Sequence, residues 1–244
     1  MTAEALLEVQ WSDYSSDLWD GLFQTLKYTA VSFAGAAALG LALALIRLSP
    51  VRIVRLPAAV YTELFKNVPL LAIIFLTYFG LASAGIRLGV FEAGALSLIL
   101  FYASYLSEIF RSAIAGVHGG QREAAQALGL GRRATFAYVI SPQALRLALP
   151  GTNTMFVDLL KSTSLLVTIS AAELMSQGQL IASETFRALE VYAVIAAMYF
   201  AVCYPLSQAL LWLERRVGAG AALSPRRHRR LRAARALLEK EATA

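Results

Sequence analysis

From Gly21 to Ile46 the chain meets one charged side chain, Lys27, and is otherwise mostly apolar or small. A helix crosses the roughly 30 Å hydrocarbon core of a bilayer with about 20 such residues, at about 1.5 Å each. A stretch this long with so little charge commits the chain to a membrane, with Lys27 close enough to an end to snorkel outward. Similar segments lie near residues 61–82, 91–114, 151–175 and 191–213. The expected fold is therefore an all-α membrane protein with five transmembrane helices. Composition agrees, at 58% hydrophobic and 16% charged, where soluble domains are about half apolar and about a quarter charged. No length is left for a large soluble domain. Cys203 is the single cysteine and lies in an apolar stretch, so no disulfide forms within the chain.

Lysine and arginine positions set the orientation. Residues 1–20 hold none, and carry Glu4, Glu8, Asp13, Asp17 and Asp20 instead. A signal peptide begins positively charged, so this acidic start is expected to remain, with the first span as a retained signal-anchor. The first loop carries Arg47, Arg52 and Arg55, and the next only Arg87. Arg111, Arg122, Arg132, Arg133 and Arg146 follow, then Arg187 alone, and then nine of the 22 basic residues between Arg215 and Lys240. Basic and non-basic sides alternate, as five crossings require. The division expected is residues 1–20 outside (periplasmic), 21–214 as the membrane domain and 215–244 as a basic cytoplasmic tail. A basic tail at a membrane exit suits retention beside anionic lipid, so the net charge of +6 does not point to nucleic acid. Residues 229–241 favour a helix, and a surface helix is one reading of them.

The stretch between the third and fourth segments exceeds the about 12–15 residues of an ordinary loop. Residues 121–128 are rich in helix formers, with Glu123 at the positive end of the dipole. Gly129-Leu130-Gly131 supplies a break, and a second helix is expected over residues 132–140, stopped by Pro142. Ala124, Ala125 and Ala127 are small enough to let another surface approach closely. This predicts a short cytoplasmic helix-turn-helix.

The same residues resemble the loop of binding-protein-dependent ABC permeases. Its pattern is Glu-Ala-Ala, three residues, Gly, nine residues, Ile, one residue, Leu-Pro. Here stand Glu123-Ala124-Ala125, Gly129, Val139 and Ser141-Pro142 at that spacing, with Ser141 in the place of leucine. The likeness covers roughly residues 20–214 and is similar to the polar amino acid uptake branch. Tyr61-Thr62-Glu63-Leu64-Phe65 leads to Lys66-Asn67-Val68, where that branch usually has Arg-Gly-Thr, and then to Pro69-Leu70-Leu71. Tyr105, Glu108-Ile109, Arg111, Gly120-Gln121, Pro142-Gln143-Ala144-Leu145-Arg146, Pro150 and Leu160-Lys161-Ser162-Thr163-Ser164-Leu165 continue it.

The resemblance implies a bacterial inner-membrane subunit that translocates amino acids. Its partners would be ATP-binding-cassette ATPase subunits, a second permease (identical or homologous) and a periplasmic solute-binding protein. ATP and Mg would be held by the ATPase, with no cofactor in this chain. Gln121, Glu123, Ala124, Ala125, Leu128 and Gly129 would form the ATPase-coupling loop.

Charges at mid-bilayer cost about 2.5–3.5 kcal/mol and usually face the protein interior. Asp158 and Lys161 are three apart, on one helix face, and can neutralise each other. They are either a structural pair or, with Ser162, Thr163 and Ser164, one wall of a substrate path. Glu63 and Lys66 share the spacing, and Glu63 is a second candidate for the path or an interfacial pair with Lys66. The hydroxyls can equally bond back to their own helix. Glu108 is expected to pair with Arg111, Pro69 and Pro205 to kink their spans, and Gly35 and Gly40 to mark close helix packing. His118 and His228 read as isolated loop residues without metal-ligand spacing. The chain lacks a Gly-x-x-x-x-Gly-Lys-[Ser/Thr] loop, His-Glu-x-x-His and Gly-x-Ser-x-Gly, which argues against catalysis in this chain. The competing transport reading is an ion-gradient-driven secondary transporter, but its expected internal repeats are not visible.

Overall fold

A computed structural model describes residues 9–218, and among them every regular element is a helix. They are α1 (Trp11–Arg47), α2 (Arg52–Asn67), α3 (Leu70–Ser83), α4 (Val90–Ala115), α5 (Gly119–Ala127), α6 (Arg132–Ile169), α7 (Leu174–Thr185) and α8 (Ala188–Gly218). Three of them, α1, α4 and α8, are each long and apolar enough to cross a bilayer. The pairs α2–α3 and α6–α7 pass the same test as bent spans, bringing the count to five if each pair is one crossing. The expected helical membrane fold is present. The reading of a helix over residues 229–241, and that of His228 as a loop residue, fall outside the described residues.

Contacts between helices give their directions. Tyr28 of α1 meets Phe91 of α4, Gly40 abuts Leu106, and Arg47 pairs with Glu108, so both numbers rise together and the two helices are parallel. Against α4, helix α6 runs the other way: Leu166 lies at Gly94, Asp158 at Tyr102 and Gly151 at Ile109. Helix α8 reverses again, with Tyr199 at Glu173 and Leu210 at Asn153. Successive crossings therefore alternate in direction, with α2–α3 returning the chain between α1 and α4.

Lipid tails are as apolar as leucine, so helices in a bilayer associate by close packing rather than by escape from water. The α1–α4 pair is the most extensive in the fold. A Cβ added at Gly40 would lie 2.9 Å from Leu106 Cβ and 3.1 Å from the Ala103 carbonyl oxygen. Gly35 likewise admits Ile99, as the small-residue stripe predicts. The largest core surrounds this seam, with Tyr28, Ile74, Leu98, Tyr102, Leu106, Leu159 and Leu166 among its members. A second core joins the start of α1 to α7 and α8 through Leu18, Leu22, Leu174, Ile181, Val191 and Ile195. That core explains why α1 begins at Trp11, before the apolar run at Gly21.

Several expectations need correction. The segment at 61–82 is not one helix: α2 and α3 meet at 109° across Val68 and Pro69. Proline disfavours helical geometry in the residue before it, and both residues are extended, with ψ of 135° and 134°. Pro142 does not stop the second loop helix, because α6 runs through it. The backbone widens into a π-type stretch over Thr135–Ile140, and the α-helical stretch that follows starts at Ser141, so Pro142 sits in its first turn. Ser141 Oγ donates to the Ala137 carbonyl (2.9 Å) and Gln143 Nε2 to that of Val139 (2.8 Å), serving acceptors beside the proline. The fourth segment tightens to a 3₁₀ stretch over Thr163–Ile169 and ends at Ser170 in the left-handed region (φ 56°). Residues after 175, read as an outer loop, are mostly α7, bent 49° from α6. Lys27 is exposed, and its Nζ stands 4.6 Å from the ring centroid of Phe91 at the start of α4.

Candidate coupling loop and intramembrane polar path

Helix α5 is built between two caps. At its start His118 Nδ1 accepts from the Gly120 amide at 3.1 Å, so this histidine caps the helix. At its end Gly129 takes a left-handed φ of 76°, its amide bonds to the Gln126 carbonyl and the Leu130 amide to that of Ala125. A Cβ would resist this φ, so glycine is the residue that lets the chain reverse here. Of the candidate loop residues, Gln121, Glu123, Ala124, Leu128 and Gly129 are exposed, and Leu128 is 80% so. Ala125 points inward and is buried, where α5 packs on the π-type stretch of α6. The outward face thus combines a carboxylate, an amide, small side chains and one bare leucine, a surface suited to another protein.

The charged residues at mid-helix separate into two groups. Asp158 Oδ2 accepts from the Tyr102 hydroxyl at 2.8 Å, and the same hydroxyl bonds Ser162 Oγ at 2.8 Å. Lys161 lies 4.0 Å from Asp158 Oδ1, and both side chains are about half exposed, so mutual neutralisation is loose. Lys161 faces a cavity of about 340 Å³ with Ser164, Met175, Tyr192, Ile195 and Tyr199. Thr163 turns away into the core and donates to the Leu160 carbonyl, while Ser164 donates to that of Lys161. Glu63 belongs to the other group: it pairs with Lys66 at 3.1 Å and accepts from Asn67 at 3.3 Å, just before the α2–α3 bend. Tyr105, one turn beyond Tyr102 on α4, donates to the Lys66 carbonyl at 3.2 Å. Helix α4 therefore stands between the two groups and bonds to each.

At the far end of α4, Glu108 pairs with Arg111 as expected and also with Arg47 of α1 at 2.7 Å. The sequence reading did not find Tyr102, nor a fully buried carboxyl at Glu173. Tyr102 carried a signal, being three residues from the noted Tyr105. Glu173 carried little, since glutamate is not a favoured N-cap type.

Helices long and apolar enough to cross a bilayer, with the short helix α5 outside them, define a class, polytopic helical membrane proteins. Within it, the chain belongs to the family of binding-protein-dependent transport system inner membrane components, which matches residues 36–219. A probable glutamine ABC transporter permease protein of Bacillus subtilis, GlnM, is 34% identical over 84% of this chain and 95% of its own length. The glutamine transport system permease protein GlnP of Escherichia coli is 36% identical over 82% of this chain and 92% of its own. Among solved structures, an amino acid ABC transporter crystallised with histidines superposes with a TM-score of 0.81 at 35% identity, covering 88% of this chain and 100% of that one.

Proposed function

We propose that this chain is the permease subunit of an ATP-driven importer of amino acids, glutamine and related polar ones foremost. Its relatives are named for that transport. The chain itself is non-catalytic: ATP and Mg belong to a partner ATPase, which docks on the exposed face of α5. The amino terminus is outside and the carboxyl terminus cytoplasmic, following the basic loops. A solute-binding protein delivers substrate to the outer face, and a second permease subunit completes the path. Lys161, with Asp158, Ser162 and Ser164 beside it, lines that path; Glu63 contributes from the α2–α3 bend. The observation that carries the reading is that α6 joins both sites, starting beneath α5 at Arg132 and passing Lys161 before it ends at Ile169.

The test is reconstitution into proteoliposomes with the ATPase and the solute-binding protein. Gly129→Asp is expected to abolish coupled uptake while the membrane domain stays folded. Aspartate tolerates the left-handed conformation better than most residues, at a cost within about 1–2 kcal/mol, but places a charge on the docking face. Uptake that persists without any ATPase subunit would overturn the proposal in favour of gradient-driven transport. Lys161→Met is expected to lower uptake about tenfold, the weight of one charge-assisted contact, at unchanged membrane abundance. A fall in abundance instead would make the residue structural.

A further inference from the structure

The cavity at Lys161 is walled on one side by α7 and α8, and a buried polar knot fixes that wall. Glu173 has no solvent exposure. Its Oε1 accepts from the Ser176 amide (2.8 Å) and hydroxyl (3.1 Å). Its Oε2 accepts from the Met175 amide (2.9 Å) and the Tyr199 hydroxyl (2.9 Å). The Leu174 amide donates to Thr25 Oγ1 at 3.1 Å, and Gly21 lets α1 press against the Leu174 backbone. Four elements meet around this knot: α1 through Thr25, the 3₁₀ end of α6 packed on α1 and α7, the start of α7, and α8 through Tyr199.

We infer that Glu173 and Tyr199 are positioning residues for the Lys161 cavity, holding its α7–α8 wall in register with the turn that carries Lys161 and Ser164. This rests on the reading of that cavity as part of the amino-acid path. Neither carboxyl nor phenol is seen to bond Lys161, so their effect passes through Met175 and the Tyr199 ring, which line the cavity. A helix cap alone would call for serine, threonine, aspartate or asparagine. Glutamate has one methylene more, and here that length spans from the cap to α8. Both carboxyl oxygens already accept backbone amides, so an amide side chain in this place would set a donor against a donor. The knot is therefore specific to a carboxyl of this length opposite a phenol.

Tyr199→Phe, Glu173→Asp and Lys161→Met are compared with the unaltered permease, each in complex with its ATPase in proteoliposomes and supplied with the solute-binding protein. Labelled glutamine moved per ATP hydrolysed is measured together with the Tm of the purified complex. Tyr199→Phe is expected to lower the ratio about tenfold, the factor carried by one hydrogen bond to a carboxylate, with Tm and ATP hydrolysis nearly unchanged. Glu173→Asp keeps a favoured cap but loses the reach to Tyr199, and it should match Tyr199→Phe. If both leave the ratio at its original value while Lys161→Met lowers it, the positioning role is wrong and the path reading stands. If Lys161→Met leaves the ratio unchanged as well, the path reading has failed. A fall in Tm and in hydrolysis at a constant ratio marks the knot as structural and also overturns the inference.

Discussion

His118 shows how a single side chain sets the start of α5. Its ring nitrogen takes the Gly120 amide, one of the donors that the first turn of a helix leaves without a partner. His118→Ala should weaken α5 by about 1 kcal/mol, seen as faster amide hydrogen exchange in residues 119–127 and not in α4, and His118→Asn should restore protection. Exchange that is the same in the alanine variant would show that the cap is dispensable. The sequence offered this residue only as an isolated loop histidine, since capping depends on where the helix starts. Gly129 was more legible: glycine after a run of helix formers is a signal in itself, and its φ of 76° is the reason. Ser141 departs from the family pattern, and its bond to the Ala137 carbonyl depends on the π-type turn, which no spacing rule anticipates. Glu173 was unreadable for a like reason, because Tyr199 becomes its neighbour only after a bend and a reversal.

Among the helices, α1, α4 and α8 could be read directly because each is one uninterrupted apolar run. The other two crossings were located, and a kink was expected at Pro69, but the size of neither bend was. Hydropathy averages over direction, so it cannot register the 109° turn at Val68–Pro69 or the 49° turn after Ser170. Pro142 was read as a stop for a related reason: proline forbids the bond from its own nitrogen, but a widened turn before it lets the helix continue. Close packing was readable from the glycines and alanines of α1, and it can be tested there. Gly40→Leu should cost about 1–3 kcal/mol by overpacking against Leu106, lowering the Tm in detergent. Ala38→Leu is the control, since Ala38 is exposed on the same helix. Equal Tm values for the two variants would show that the α1–α4 seam yields at Gly40.

The whole molecule places its two candidate sites on one continuous element. From Arg132 to Lys161, α6 rises roughly 45 Å at about 1.5 Å per residue, from beside the exposed helix α5 to the cavity at Lys161. Packing against α4 supports it along the way, through Gly151 on Ile109 and Asp158 on Tyr102. On the proposed function this helix transmits the closure of the ATPase, and a transmitting helix must be stiff between its ends. Leu145 and Leu147 lie between the sites and are 62% and 54% exposed, so changing them removes little buried contact. Replacing both by glycine softens the helix by about 1 kcal/mol at each position. Transport per ATP hydrolysed should then fall severalfold while stimulation of hydrolysis by the solute-binding protein persists. The same replacement at Leu211 and Leu213, on exposed positions of α8, should leave the ratio unchanged. If softening α6 has no more effect than softening α8, motion reaches the cavity by another route, and the Arg47–Glu108–Arg111 cluster joining α1 to α4 is the next element to cut.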